Sequence, residues 1–160
     1  ETRIAIDATR IEKAGYKHFM AKEIAEQPAV IADALKHYVG GDTLRLPAVD
    51  FTGVDRLTMV ACGTASYACH VAKYWFEQIA GLPCEVDIAS EFRYREPPLS
   101  DRSWALFVSQ SGETADTLAA LRYAKEKVAK VVAVVNVPTS SIARESDLAP
   151  PIAGVLESCP

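Results

Sequence analysis

The chain has 160 residues, of which 49% are hydrophobic and 24% are charged, a balance that favours one folded domain and excludes a disordered or fibrous chain. Its net charge of -4 argues against capture of nucleic acid or of an anionic membrane surface. No apolar stretch approaches the roughly 20 residues of a membrane-spanning helix, and the N-terminal letters lack the pattern of a secretory signal, so a cytoplasmic location is expected.

The N-terminal third predicts a lead-in to the main domain. A helical pattern over 17–39 is interrupted at Pro28, a residue that suits the first turn of a helix and is poor in its interior. We therefore expect two helices that form a hairpin. The stretch GGDTLRLPAVDFTGVD is typical of a surface connection. The predicted division is a helical lead-in and linker over 1–50 and the main domain over 51–160.

From Asp55 onward, strand patterns alternate with helix patterns. The strand-like segments are RLTMVAC, CEVDIAS, SWALFVSQ and KVVAVVNV. A helix is predicted between the first two, its apolar positions being Ala68, Val71, Ala72, Trp75, Phe76 and Ile79. A second helix over 114–128 has its apolar face at Leu118, Leu121, Ala124 and Val128, and SSIARESD predicts a short third one. Such alternation implies crossover connections and a doubly wound parallel α/β sheet of flavodoxin-like type.

In that architecture ligands bind outside the carboxyl ends of the strands, where the strand order reverses. Two loops at such positions are rich in hydroxyls, and their candidate binding residues are Thr64 and Ser66 of CGTASYA and Ser109, Gln110, Ser111 and Thr114 of SQSGET. A helix start offers free N–H groups and about half a positive charge, which suits a phosphate without any lysine. One loop alone is explained by helix capping. Two loops with surplus hydroxyls predict a phosphate or phosphosugar site.

Other conspicuous residues are given structural interpretations. The four cysteines form no CxxC pair and are expected to be reduced thiols, while a zinc site from Cys62, Cys69 and His70 lacks the usual ligand spacing. None of the three histidines has the neighbours of a catalytic triad. Glu113 and Asp116 complement a helix dipole, and Arg93 and Arg95 lie on a solvated face or pair across a subunit interface. No metal, cofactor or catalytic residue is predicted.

These motifs together resemble a known family. The pairing of CGT after one strand with SQSGETADT after another resembles the sugar isomerase (SIS) domain, a flavodoxin-like fold that binds phosphosugars. More narrowly, HFMAKEIAEQP at 18–28, ACGTASYA at 61–68, VDIASEFRYR at 86–95 and SIARESD at 141–147 resemble the glutamine:fructose-6-phosphate aminotransferase (isomerizing) family, the glucosamine-6-phosphate synthases.

The resemblance implies an enzyme of hexosamine biosynthesis that takes ammonia from glutamine and makes glucosamine 6-phosphate from fructose 6-phosphate. It implies that the first SIS half binds the sugar phosphate, with SQSGET at the phosphate. Where many members have serine, this chain has Ala65, which weakens the assignment of Ser66. The family's glutaminase domain and second SIS domain are missing here, so the resemblance implies a truncated isomerase half that is inactive alone, and a homodimer is expected.

Alternatives from the sequence stay open. The chain is also compatible with another SIS phosphosugar isomerase, with a sugar-phosphate-sensing domain, with a flavin electron carrier, or with a structural fragment that forms a dimer face. A fifth strand is expected after ARESD, yet Pro150 and Pro151 disfavour a central strand. That segment is therefore expected to form an edge or an altered tail.

Overall fold

The structure is a computed structural model that describes residues 13–45 and 49–150. The chain divides into two compact units, one of which includes Glu1–Leu46 and the other Pro47–Ile152. Each unit is described by itself. Within the described residues, no helix has both the length and the apolar character to cross a membrane.

The first unit contains one long helix. Helix α1 spans Phe19–Tyr38 and runs through Pro28 without a break, so the predicted helical hairpin is wrong. Proline at this position removes only the N–H that would bond the carbonyl of Ile24. Both residues are exposed, so water can satisfy that carbonyl. A short antiparallel pair follows, formed by β1 (Val39–Gly40) and β2 (Thr43–Leu44).

The second unit is the predicted α/β domain. Its elements in chain order are β3 (Arg56–Ala61), α2 (Thr64–Ala80), β4 (Cys84–Ile88), α3 (Ala89–Arg95), β5 (Ser103–Ser109), α4 (Ala115–Lys125), β6 (Lys130–Val135) and α5 (Ser141–Glu145). The four strands are parallel and lie in the order β4-β3-β5-β6. The predictions of the four strands and of a doubly wound parallel sheet are confirmed.

The strand order places the candidate loops side by side. The chain moves from β3 outward to β4 and then returns to the other side of β3 with β5, so the order reverses between β3 and β5. Ala61 at the end of β3 is level with Val108 of β5, and Ser109 is level with Val135 of β6. The loops after these three strands therefore leave the sheet at the same edge, with the crevice between the first two.

The sheet buries a core on each face. On one face, Val60, Phe107 and Ala133 pack with Phe92 of α3 and Leu121 of α4. On the other face, the core includes buried residues of all four strands and of α2, namely Leu57, Met59, Ala61, Cys69, Cys84, Trp104 and Val132. Helices thus cover both faces, as a parallel sheet requires.

Helix α2 buries a face that differs in part from the predicted one, whereas α4 buries the predicted face. In α2 the contact with the sheet is made by the predicted Ala72 and Phe76 together with the small side chains of Ala65 and Cys69, whereas Trp75 and Ile79 are exposed. In α4 the fully buried residues are Thr117, Ala120, Leu121 and Ala124, and Leu118 is only half-buried. The face of α2 is therefore rotated relative to the predicted one, whereas the predicted face of α4 is confirmed, since Leu121 and Ala124 are in the core and Leu118 and Val128 pack against it.

The segment after α5 lies at the edge of the sheet. The carbonyl of Leu148 accepts from the amide of Ala133 at 2.8 Å, and Leu148 forms a parallel bridge with Val132. The predicted fifth strand is thus reduced to a short edge contact beside β6. Pro151 lies outside the described residues.

Candidate functional site

A cavity of about 310 Å³ opens at the crevice between β3 and β5. This volume lies at the lower end of the range for small-molecule pockets. The lining residues come from the ends of the two strands and the first turns of α2 and α4, namely Cys62, Gly63, Thr64, Ala65, Val108, Ser109, Gln110, Ser111, Thr114 and Thr117. No lysine, arginine, histidine or carboxylate is among them, so the wall is polar and uncharged.

The hydroxyls of SQSGET are held in place by hydrogen bonds within the loop. Ser109 Oγ accepts from the amide of Gly112 at 3.1 Å and lies 3.0 Å from Thr114 Oγ1. Ser111 Oγ accepts from the amide of Glu113 at 3.2 Å. The Ser109–Thr114 pair has two hydroxyl protons and shares one hydrogen bond, so one proton remains free to donate to a ligand.

The segment after β6 donates backbone hydrogen bonds to two carbonyls of this loop. The amide of Asn136 donates to the carbonyl of Gln110 at 3.1 Å, and the amide of Ile142 donates to the carbonyl of Gly112 at 3.1 Å. Gly112 has a φ of 67°, and a Cβ at this position would overlap the side chain of Ser140. Only glycine therefore fits the centre of the loop.

The two helices that point at the cavity have no side-chain caps. Thr114 occupies the N-cap of α4 and Gly63 that of α2, and neither makes a capping hydrogen bond. In α5, by contrast, Ser140 Oγ accepts from the amide of Ala143. Within the described residues, the amides of Ala115 and Asp116 have no hydrogen-bond partner. The hydroxyls of SQSGET are thus not used as caps, and the start of α4 keeps its partial positive charge.

The structure brings five of the six predicted binding residues together: Thr64, Ser109, Gln110, Ser111 and Thr114 all line the cavity. Ser66 does not. It is buried in the first turn of α2, where its hydroxyl donates to the carbonyl of Gly63 at 2.6 Å. That hydroxyl proton is therefore used inside the helix, which removes Ser66 from the candidate set.

Thr117 is a lining residue that the sequence analysis missed. Its side chain is 1% exposed, and its Oγ1 has no hydrogen-bond partner. The available signal was its spacing, because Thr117 stands one turn before Leu121 and two turns before Ala124, both of which are buried. A threonine on the buried face of a helix, in the turn next to the candidate loop, is the pattern that indicates such a lining residue.

Several residues near the site have structural roles. The carboxylate of Glu113 accepts from the amide of Ser141 at 2.7 Å and so caps α5, whereas it was expected to complement α4. This hydrogen bond lowers the pKa of Glu113. Arg95 pairs within its own chain with Asp87 at 2.6 Å and Glu85 at 3.0 Å, and the guanidinium of Arg93 lies over the ring of Tyr94.

Three of the four cysteines and the candidate metal ligands lie within the described residues. Cys62, Cys69 and Cys84 are free thiols, and burial raises the pKa of Cys69 to about 11. Cys159 lies outside the described residues. Across 13–45 and 49–150, His, Cys, Asp and Glu side chains form no group of three that could hold a metal ion.

Comparison with known proteins identifies the family. A sequence model of the SIS domain matches residues 50–157. The chain belongs to the SIS domain family. The chain is 56% identical over 159 residues to the glutamine–fructose-6-phosphate aminotransferase [isomerizing] of Bradyrhizobium diazoefficiens, covering 96% of this chain and 26% of the relative. The chain therefore spans about a quarter of the length of that curated relative.

Solved structures agree with this placement of the SIS domain. The C-terminal domain of glucosamine-fructose-6-phosphate aminotransferase from Francisella tularensis superposes with a TM-score of 0.79 and 41% identity, covering 89% of this chain and 41% of that chain. A glucosamine-6-phosphate deaminase from Thermotoga maritima superposes with a TM-score of 0.72 at 22% identity, over 88% of this chain and 42% of that chain, which shows a shared fold. The chain is thus homologous to the isomerase half of the aminotransferase.

Proposed function

We propose that this chain is the sugar-phosphate-binding isomerase half of an enzyme that converts fructose 6-phosphate and glutamine to glucosamine 6-phosphate and glutamate. The relative that is 56% identical carries the name of that activity. The cavity has no histidine, lysine, arginine or carboxylate among its lining residues, which fits a part that holds the substrate. The chemistry at the other end of the sugar then depends on groups outside this chain.

The observation that carries the proposal is the uncapped start of α4. Its free amides and the hydroxyls of Ser109, Ser111 and Thr114 surround one end of the cavity. Because Ser109 and Ser111 accept hydrogen bonds from backbone amides, their positions are fixed before a ligand arrives. A phosphate dianion in this place receives several hydrogen bonds and the field of the helix. Thr64 and Gln110 then face the sugar.

The organisation of the domains and the partners belong to the same proposal. We assign 1–50 to the lead-in and linker and 51–160 to the phosphosugar-binding domain. The division near residue 47 and the family match from residue 50 support this boundary. The proposed enzyme acts as a homodimer in the cytoplasm, with its glutaminase and second SIS domains in parts of the protein beyond this chain.

Titration with fructose 6-phosphate tests the proposal. Followed by amide chemical shifts, the ligand is expected to perturb residues 109–114 and 63–65, because these backbone groups line the cavity. Fructose without its phosphate serves as the control ligand and is expected to leave 109–114 unchanged. Perturbations that fall only outside these two loops would contradict the proposal.

A pair of variants makes the test specific. Ser111→Ala removes one hydroxyl from the phosphate loop and is expected to raise the Kd about tenfold, which is the worth of one hydrogen bond to a charged group. Thr139→Ala removes an exposed hydroxyl whose residue is not among those that line the cavity, so its Kd is expected to equal that of the parent chain. Equal affinities for all three proteins would exclude Ser111 from the site.

A further inference from the structure

The hydroxyl of Thr117 has no partner although its side chain is buried. Among the described residues, the only buried side-chain atoms in this condition are Thr117 Oγ1 and Arg93 Nε. An unpartnered buried hydroxyl is costly, and native structures retain few of them. Thr117 is also a wall residue of the cavity. The side chain that carries the unpartnered hydroxyl thus borders the space that a ligand would occupy.

The position of Thr117 in α4 explains why the protein itself gives it no acceptor. A threonine inside a helix commonly bonds the carbonyl one turn earlier. Thr117 is the third residue of α4, so the residue four positions earlier is Glu113, which lies outside the helix in the loop. The carbonyl of Thr114 accepts from the amide of Leu118 at 2.9 Å. The local backbone therefore does not satisfy the hydroxyl.

We infer that the hydroxyl of Thr117 donates a hydrogen bond to the phosphate group of the bound sugar phosphate, as a fourth side chain of the phosphate site with Ser109, Ser111 and Thr114. Thr117 lies in the first turn of α4, three residues after the N-cap Thr114, and both residues line the cavity. This inference rests on the proposed function of the cavity. It adds a donor at the inner wall, behind the exposed loop.

The geometry assigns Thr117 to the phosphate end of the ligand. An anion at a helix start lies near the helix axis, within reach of first-turn amides and side chains. Thr117 supplies both, since its amide also has no hydrogen-bond partner within the described residues. A buried hydroxyl without other partners strongly favours a ligand that accepts a hydrogen bond from it over one that does not.

Thr117→Val tests the inference because valine keeps the shape of the side chain and removes the hydroxyl. The Kd for fructose 6-phosphate and that for inorganic phosphate are both expected to rise about tenfold. The unfolding midpoint without ligand is expected to stay the same or rise, because the buried hydroxyl makes no hydrogen bond in the structure. Thr117→Ser keeps the hydroxyl and is expected to bind like the parent chain.

Ser103→Ala gives the opposite pattern and serves as the matched control. The hydroxyl of Ser103 lies at the other end of β5, where it donates to the carbonyl of Ser100 at 2.7 Å and accepts from its amide at 3.1 Å. Its loss is expected to lower the unfolding midpoint and leave both Kd values unchanged.

The outcomes separate this inference from the proposed function. A parent chain that binds neither ligand contradicts the function of the cavity. A parent chain that binds both, with Thr117→Val binding equally well, overturns the role of Thr117 alone. A loss confined to the sugar phosphate, with inorganic phosphate unaffected, overturns the assignment to the phosphate end.

Discussion

Gly112 is the residue on which the shape of the phosphate loop depends most directly. Its φ of 67° is unfavourable for any residue with a Cβ, and the space where a Cβ would project is filled by Ser140. Gly112→Ala is therefore expected to lower the free energy of unfolding by roughly 2–5 kcal/mol, the sum of backbone strain and overpacking. Urea denaturation measures this difference.

Gly53 provides the control for the backbone part of that cost. Its φ is 79°, and a Cβ there meets nothing within 4 Å. Gly53→Ala is expected to cost about 1–2 kcal/mol from strain alone, and the excess seen at Gly112 then measures the overlap with Ser140. Equal costs at the two glycines would show that the loop moves freely away from Ser140.

At the same scale, the sequence indicates which residues lie near the site better than it indicates which of their hydroxyl groups are free to bind a ligand. Ser66 and Ser109 both belong to the hydroxyl-rich segments at the carboxyl ends of strands, yet Ser66 donates to the carbonyl of Gly63 while Ser109 accepts from the amide of Gly112. That difference depends on local backbone angles, which a letter pattern does not specify. Thr117 was missed for the converse reason, because an ordinary helical threonine has an acceptor one turn earlier.

At the scale of elements, Glu113 links the phosphate loop to α5. Its carboxylate accepts from the amide of Ser141, and this hydrogen bond, with a smaller contribution from the charge of Arg144, holds its pKa below the ordinary value of 4.5. A lowered pKa in the folded state means that the link stabilises the protein above pH 4.5 and is lost as the pH falls through the folded pKa.

Glu113→Gln is therefore expected to destabilise the protein at neutral pH and to make little difference in acid. Unfolding midpoints of the parent chain and the variant, measured from neutral pH to below 4.5, are expected to converge at the acid end. Glu77 and Glu145 also have lowered pKa values, and because both proteins retain them, the difference between the two isolates Glu113. A gap that stays constant with pH would contradict the link.

The order and type of the elements and the buried face of α4 follow from the sequence, but the buried face of α2 follows only in part. The alternation of strands and helices predicted all four strands of the sheet. The predicted face of α2 is right for Ala72 and Phe76 and wrong for Trp75 and Ile79, because the close approach of helix to sheet selects the small side chains of Ala65 and Cys69 on the other side. The proline rule failed for α1, since an exposed proline loses one backbone hydrogen bond that water replaces.

At the scale of the whole molecule, the strand order decides where the site lies. The sequence predicts parallel strands and leaves open which of them are neighbours. The structure places β3 beside β5, which brings the two hydroxyl loops to one crevice. Leu148 forms an edge contact beside β6. The sequence predicted either such an edge or an altered tail and did not decide between them.

The exposed face of α2 carries the last prediction, that the isolated chain self-associates. The apolar residues on this face are Tyr67, Val71, Tyr74, Trp75 and Ile79, with Trp75 62% and Ile79 82% exposed. A row of large apolar side chains along one helix is unusual on a monomer surface and favours burial against another surface. Because this chain spans only about a quarter of its relative, a second copy is the surface available to it in solution.

Trp75→Glu is expected to weaken this association by placing a charge in the centre of the face, where burial against a second copy would remove it from water. Sedimentation velocity across a dilution series measures the effect. Tyr94→Glu is the matched control, because Tyr94 is equally exposed, at 71%, and lies on α3 outside the face. Its substitution is expected to leave the association unchanged. A parent chain that stays monomeric at every concentration, or equal losses in the two variants, would exclude α2 as the contact surface.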